Sequence, residues 1–152
     1  ELAAIVIESM AQLNQAPSEL MVTYGAHAAT DITGYGLLGH AYEMAAASQV
    51  SIRIFSKTLP LLPQALELAA KKMIPGGAND NREFLVGHVK VTASIDPNLE
   101  VVLYDPQTSG GLFIAMSPQR ADEFQQELKR HHLPDQPVGQ VERPGEVELI
   151  VE

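Results

Sequence analysis

Between residues 26 and 48 the side-chain pattern changes from a strand's alternation to a helix's stripe, and the change falls on three glycines. "AHAATDIT" reads as a strand, with Ala26, Ala28 and Ile32 on one face and His27, Ala29, Asp31 and Thr33 on the other. "LLGHAYEMAAAS" reads as a helix. Gly34, Gly36 and Gly39 have the spacing G-x-G-x-x-G. Strand, glycine turn and helix together open a dinucleotide-binding unit, but that unit also needs an acid at the end of the next strand to hold a ribose hydroxyl. The next strand, "VSIRIF", runs into Ser56 and Lys57 instead. Asp31 also precedes the glycines, where a carboxylate repels a pyrophosphate unless a cation intervenes. The dinucleotide reading therefore fails.

Two readings of Asp31 remain open. As a strand-end carboxylate flanked by Thr30 and Thr33, with Gly34 beside it, it suits a cation that bridges to phosphate oxygens, since Mg²⁺ takes one or two carboxylates and keeps waters. Alternatively it caps the following helix. "DPQTSGG" is equally double: Thr108, Ser109, Gly110 and Gly111 offer hydroxyls and N–H groups to an anion, and Asp105 a carboxylate to a cation. An Asx-Pro turn re-entering a strand explains the same residues. "PGGANDN" reads as a turn-rich loop, with Asn79 and Asn81 as local hydrogen-bonders. The five histidines lack metal spacing such as H-x-x-x-H, and His27 shares the strand face of Asp31.

The rest of the chain supplies an α+β domain, helices packed on a mixed β-sheet. Helices are expected over 2–14, Ser18–Tyr24, Pro63–Lys72 and Pro118–His131, the last with Ala121, Phe124 and Leu128 on one face. "FLVGHVKV" reads as extended and "LFIAM" as a buried strand. "PVGQV" and "EVELIVE" read as a closing hairpin turned by Pro-Gly. With 152 residues, 45% of them hydrophobic, the chain has enough for one core. Ten basic residues against 19 acidic give a net charge of −9, which argues against nucleic acid or an anionic membrane as main partner. Without cysteine there is no disulfide, thiolate metal site or cysteine nucleophile, which fits a cytoplasmic protein. The chain opens at Glu1, inside a helical period, and reads as a piece of something longer.

Taken in order, "HAATDITGYGLLGH", "IPGGANDN" and "DPQTSGGLFIA" resemble the C-terminal half of selenophosphate synthetase (selenide, water dikinase), within the superfamily of aminoimidazole ribonucleotide synthetase-like ATP-using enzymes. "DPQTSGGL" is the most specific part. The resemblance spans the whole chain and implies a single C-terminal domain, residues 1–152, without its N-terminal ATP-binding domain. It implies an enzyme that makes selenophosphate from selenide, ATP and water, releasing AMP and phosphate, with Mg²⁺, as a homodimer. The reactive Cys (or selenocysteine) and the Lys of such enzymes lie near their N-terminus. This domain alone is then expected to be inactive, with no tightly bound cofactor. The Asp of the "TD" pair, a metal ligand in that family, matches Asp31. Thr30, Thr33, Gly34, Asn81, Asp105, Thr108, Ser109, Gly110 and Gly111 are the candidates for ATP, phosphate or domain-cleft contacts. Tyr35 stands where Phe is usual and Ala78 where Thr is frequent, while Asn81 matches. A sister ATP-dependent ligase or kinase, or a stand-alone regulatory or dimerisation module, are the alternatives.

Overall fold

A computed structural model describes residues 2–152. In chain order these form α1 (Leu2–Ala11), α2 (Gln15–Thr23), β1 (Ala28–Asp31), α3 (Gly36–Ser48), β2 (Ser51–Ile54), α4 (Ala65–Ala70), α5 (Gly76–Phe84), β3 (Val89–Val91), α6 (Pro97–Leu103), β4 (Leu112–Ala115), α7 (Pro118–Arg130), β5 (Gly139–Glu142) and β6 (Leu149–Val151). The α+β expectation holds, but the strands make two sheets rather than one. β1 and β4 form an antiparallel pair, with Asp31 opposite Leu112. The other four strands lie in the order β3-β6-β2-β5, with β2 parallel to β6 and antiparallel to β5.

This order overturns the expected closing hairpin. β5 and β6 flank β2 and do not pair with each other. Ile52 and Ile54 are fully or almost fully buried, so the β2 backbone is out of water and needs partners on both edges. The Pro-Gly segment is a crossing between the two edges. Ser51 fixes it: its hydroxyl donates to Val147 O at 2.7 Å and accepts from Gly145 N at 2.9 Å. Two residues on, on the same face of β2 as Ser51, the Arg53 guanidinium bonds Glu142 at 2.7 Å and Glu152 at 2.8 Å, tying the strand to both neighbours.

α3 is the central helix. Leu38, Ala41 and Ala45, a helical stripe, are completely buried and face β1, β2 and β6. The small alanines let the sheet come close. The helix ends where Gln49 turns left-handed (φ 54°) and donates to Ala46 O, while Val50 donates to Ala45 O. α2 and α7 pack together through Tyr24 and Phe124, ring centres 5.8 Å apart, with Arg120 over the Tyr24 ring. α6 starts as its sequence dictates: Asp96 caps Asn98 N at 2.8 Å and Pro97 occupies the first turn.

Three further expectations shift. α1 stops at Ala11, short of Asn14, and the helix before Gly25 begins at Gln15. α4 is shorter than 63–72, because Gln64 is left-handed (φ 67°). "FLVGHVKV" is extended only over Val89–Val91, since Phe84 still belongs to α5 and Gly87 turns at φ 88°.

Arg53→Met keeps the apolar stem and removes the fork. We expect the melting temperature to fall by a few degrees at neutral pH. The Arg53 guanidinium holds the Glu142 carboxyl below its ordinary 4.5. That contribution is present above 4.5 and is lost as pH falls through the folded value. Thermal melts should therefore show the gap between wild type and variant narrowing as pH falls below 4.5; a gap independent of pH would contradict the ion-pair account.

Candidate functional site

The largest correction to the sequence reading builds the site. "PGGANDN" is not a loop: Gly76–Phe84 is helix α5. Pro75 is extended and precedes the first turn, where Gly76 and Gly77 need no intrahelical N–H partner. The buried positions are Ala78, Asn81 and then Leu85, a helical stripe with an amide at its centre. The Asn81 amide donates to Gly34 O at 3.0 Å and to Tyr104 O at 2.9 Å. One side chain thus joins the turn after β1 to the end of α6. Gly77 rests on Pro106, where an added Cβ would lie 3.2 Å from Cγ.

The two loops are also laced by their backbones. Ile32 N donates to Gly111 O (2.9 Å), Gly110 N to Ile32 O (2.9 Å) and Gln107 N to Thr33 O (3.1 Å), which extends the β1–β4 pairing past its ends. A side chain at Gly110 would collide with Ile32, its Cβ 2.8 Å from that of Ile32. Gly36 has φ +69°, and a Cβ there would lie 2.9 Å from the Asp105 carbonyl oxygen and the Tyr104 carbonyl carbon. The middle glycine of the motif therefore serves close packing of α3 on the 104–105 peptide. Gly34 meets nothing within 4 Å.

On this braced frame the candidate residues fall into three groups. Asp31, Gly34, Thr108, Ser109 and Gly110 are exposed; Thr30, Thr33, Asp105 and Gly111 are half-buried; Asn81 is buried. Asp31 stands at the end of β1 with its carboxylate in solvent and, among the described residues, in no ion pair. The Thr30 hydroxyl donates to the Asp31 carbonyl at 3.3 Å, and Ser109 Oγ reaches Met10 O at 3.3 Å. Thr33 Oγ1 lies 3.0 Å from Nε2 of His40, whose side chain is 10% exposed and whose Nδ1 lies 3.3 Å from Glu43 Oε2. Neither the cross-link by Asn81 nor the anchoring by His40 is signalled by the sequence, because a polar residue in a helix reads as solvent-facing.

Among the described residues no three His, Asp or Glu side chains gather around a common point. The donor set fits a Mg²⁺ that takes one carboxylate here and its other ligands from phosphates, water and another segment; it does not make a cage. Burial pushes the Asp105 carboxyl above its ordinary 3.8. A shallow apolar groove of about 130 Å³, lined in part by Leu37, Leu61, Gln107 and Gly110, opens beside the second loop. A larger cleft of about 350 Å³, between the end of α3 and residues 144–148, contains none of the candidates. No described helix is long and apolar enough to cross a membrane.

This frame, two laced loops on an α+β domain, defines a known class. Residues 6–152 match the family described as AIR synthase related protein, C-terminal domain, and the chain belongs to that family. Its sequence is similar to selenide, water dikinases: 44% identical over 126 residues to that of Caldanaerobacter subterraneus subsp. tengcongensis (83% of this chain, 36% of that one). It is 41% identical over 136 residues to that of Nitratidesulfovibrio vulgaris (90% and 39%), and 38% over 151 residues to that of Trichlorobacter lovleyi (99% and 43%). The chain thus spans about two-fifths of the length of these relatives. In fold it is similar to hydrogenase maturation protein HypE crystallised with ATP, with a TM-score of 0.58 at 21% identity over 95% of this chain and 38% of that one.

Two measurements test this geometry. Asn81→Leu leaves the Gly34 and Tyr104 carbonyls without their donor and should cost about 2–4 kcal/mol in denaturant unfolding. Asn81→Asp, of equal size, should cost at least as much, because an ionised carboxylate cannot donate; a mild effect would mean packing alone matters. Asp105→Asn should act in the opposite direction. A carboxyl raised by burial costs stability once pH exceeds its unfolded value, and the cost is complete above the folded one. The variant should melt higher than wild type at pH 7 and level with it at about pH 2–3; equal melting at both would remove the burial effect.

Proposed function

We propose that this chain is the C-terminal domain of a longer ATP-dependent enzyme that makes selenophosphate from selenide, ATP and water, releasing AMP and phosphate. Its partner in that reading is an N-terminal ATP-binding segment of the same polypeptide, in a cytoplasmic homodimer. The single observation that carries the role is Asp31: an exposed, uncommitted carboxylate on a rim held rigid by Asn81 and the loop lacing. When bound, Mg²⁺ neutralises phosphate charge and orients the phosphoryl groups. Asp31 contributes one anionic ligand from this side of the cleft. Phosphoryl transfer depends mainly on such positioning and charge compensation, so a domain with no nucleophile of its own still matters to the rate.

The family membership and the selenide, water dikinase relatives support this reading. ATP use also draws support from the ATP complex of HypE, which shares the fold; the same likeness keeps a sister ATP-dependent ligase or kinase as the second reading. The net charge of −9 suits a nucleotide held through cations rather than through a basic surface.

The decisive variant is Asp31→Asn in the longer polypeptide. Selenide-dependent AMP formation should fall by about 10²- to 10³-fold, the scale of losing a charge-stabilising contact. The melting temperature of the 152-residue chain should not move, because the carboxylate faces solvent. The 152-residue chain alone should form no AMP. Near-normal turnover of the variant, or AMP formation by the chain alone above a boiled control, would refute the proposal.

A further inference from the structure

His40 is a buried imidazole that the function proposed above does not use. A phenylalanine would fill the volume without the cost of burying two ring nitrogens, so their partners deserve an explanation. Nδ1 of His40 lies 3.3 Å from Oε2 of Glu43, one turn on along the same helix. Nε2 and the Thr33 hydroxyl share a hydrogen bond of 3.0 Å, whose donor depends on the tautomer of the ring. Tyr35 covers the ring, centre to centre 5.6 Å and tilted at 64°. The Thr33 hydroxyl is thereby engaged with the ring. Its carbonyl is equally occupied, accepting from Gly36 N at 2.9 Å and Gln107 N at 3.1 Å.

Thr33 is therefore the node at which three pieces meet: the turn after Asp31, the start of α3, and the 105–111 loop. From these contacts we infer that His40 is a positioning residue. Acting through Thr33, it fixes where the rim presents Asp31 and how the second loop sits against it. Thr33 holds the rim through these contacts. The inference rests on the proposed role of Asp31 and adds the side chain that aims it. Glu43, 55% exposed, lies beside the ring as the outermost of Glu43, His40 and Thr33.

The test uses His40→Leu, Thr33→Val, their combination, and His40→Gln, whose amide oxygen can accept from Thr33 in place of Nε2. In the 152-residue chain, amide exchange at Gly36 and Gln107 should quicken about tenfold or more in either of the first two variants. The double variant should be no worse than the singles, since both break one link. His40→Gln should return exchange to near the wild-type rate, and amides of β2 and β6 should be unaffected in all four. In the longer polypeptide the same two singles should lower kcat by about ten- to a hundredfold while the KM for ATP stays within about twofold. Unchanged exchange at Gly36 and Gln107, a failure of His40→Gln to rescue, or an unchanged kcat overturns the inference. Should His40→Leu unfold, Thr33→Val, which keeps the shape, decides the matter. Normal turnover in Asp31→Asn would sink the proposed function separately, because the exchange result reports on His40 whatever the reaction is.

Discussion

Two hydrogen bonds from one buried amide hold the candidate site of this domain together. Asn81 reaches from α5 to the carbonyls of Gly34 and Tyr104, the second of them buried. Without it the end of α6 would carry an unsatisfied acceptor next to the core, and the turn after β1 would lose its tie to α5. With it, the loop lacing through Ile32, Gly110, Gly111 and Gln107 closes on a fixed frame. Gly36 completes the fit by letting α3 approach the 104–105 peptide closer than any side chain would allow. The three sequence motifs are therefore one structural unit: each supplies a surface that the other two require.

Legibility in the sequence follows from physical range. β1, β2, α3 and α7 announce themselves because their apolar residues recur with the period of the element, and β4 because it is a short apolar run, although only Phe113 in it is buried. The exposure of Asp31 follows from the same alternation, since Ile32 beside it is buried. α5 is hidden because its inward stripe is Ala78, Asn81 and Leu85, small, polar and past the helix end, behind two glycines. The false hairpin has a different cause. Pro-Gly between two strands is a local signal, whereas the insertion of β2 between β5 and β6 is fixed by contacts some 89 residues apart, such as Arg53 with Glu142. Partners that remote leave no local trace, and the roles of Asn81 and His40 are lost for the same reason.

The division of labour is also electrostatic. Charge that stabilises the fold sits away from the rim, in the Arg53 fork on the larger sheet. At the rim itself the carboxylates are uncompensated: Asp31 lies in solvent, and Asp105 is raised by burial. A fold gains nothing from either arrangement. Under the proposed function Asp31 is left unpaired so that a cation shared with a nucleotide can pair with it, and the rigidity supplied by Asn81, His40 and the loop lacing fixes its position in advance.

The most direct test is crystallographic. Crystals of the longer polypeptide grown with Mn²⁺ in place of Mg²⁺ and a non-hydrolysable ATP analogue should give an anomalous difference peak at coordination distance from the Asp31 carboxylate, shared with the analogue's phosphates. A peak held entirely by other residues, with Asp31 still turned to solvent, would contradict the account.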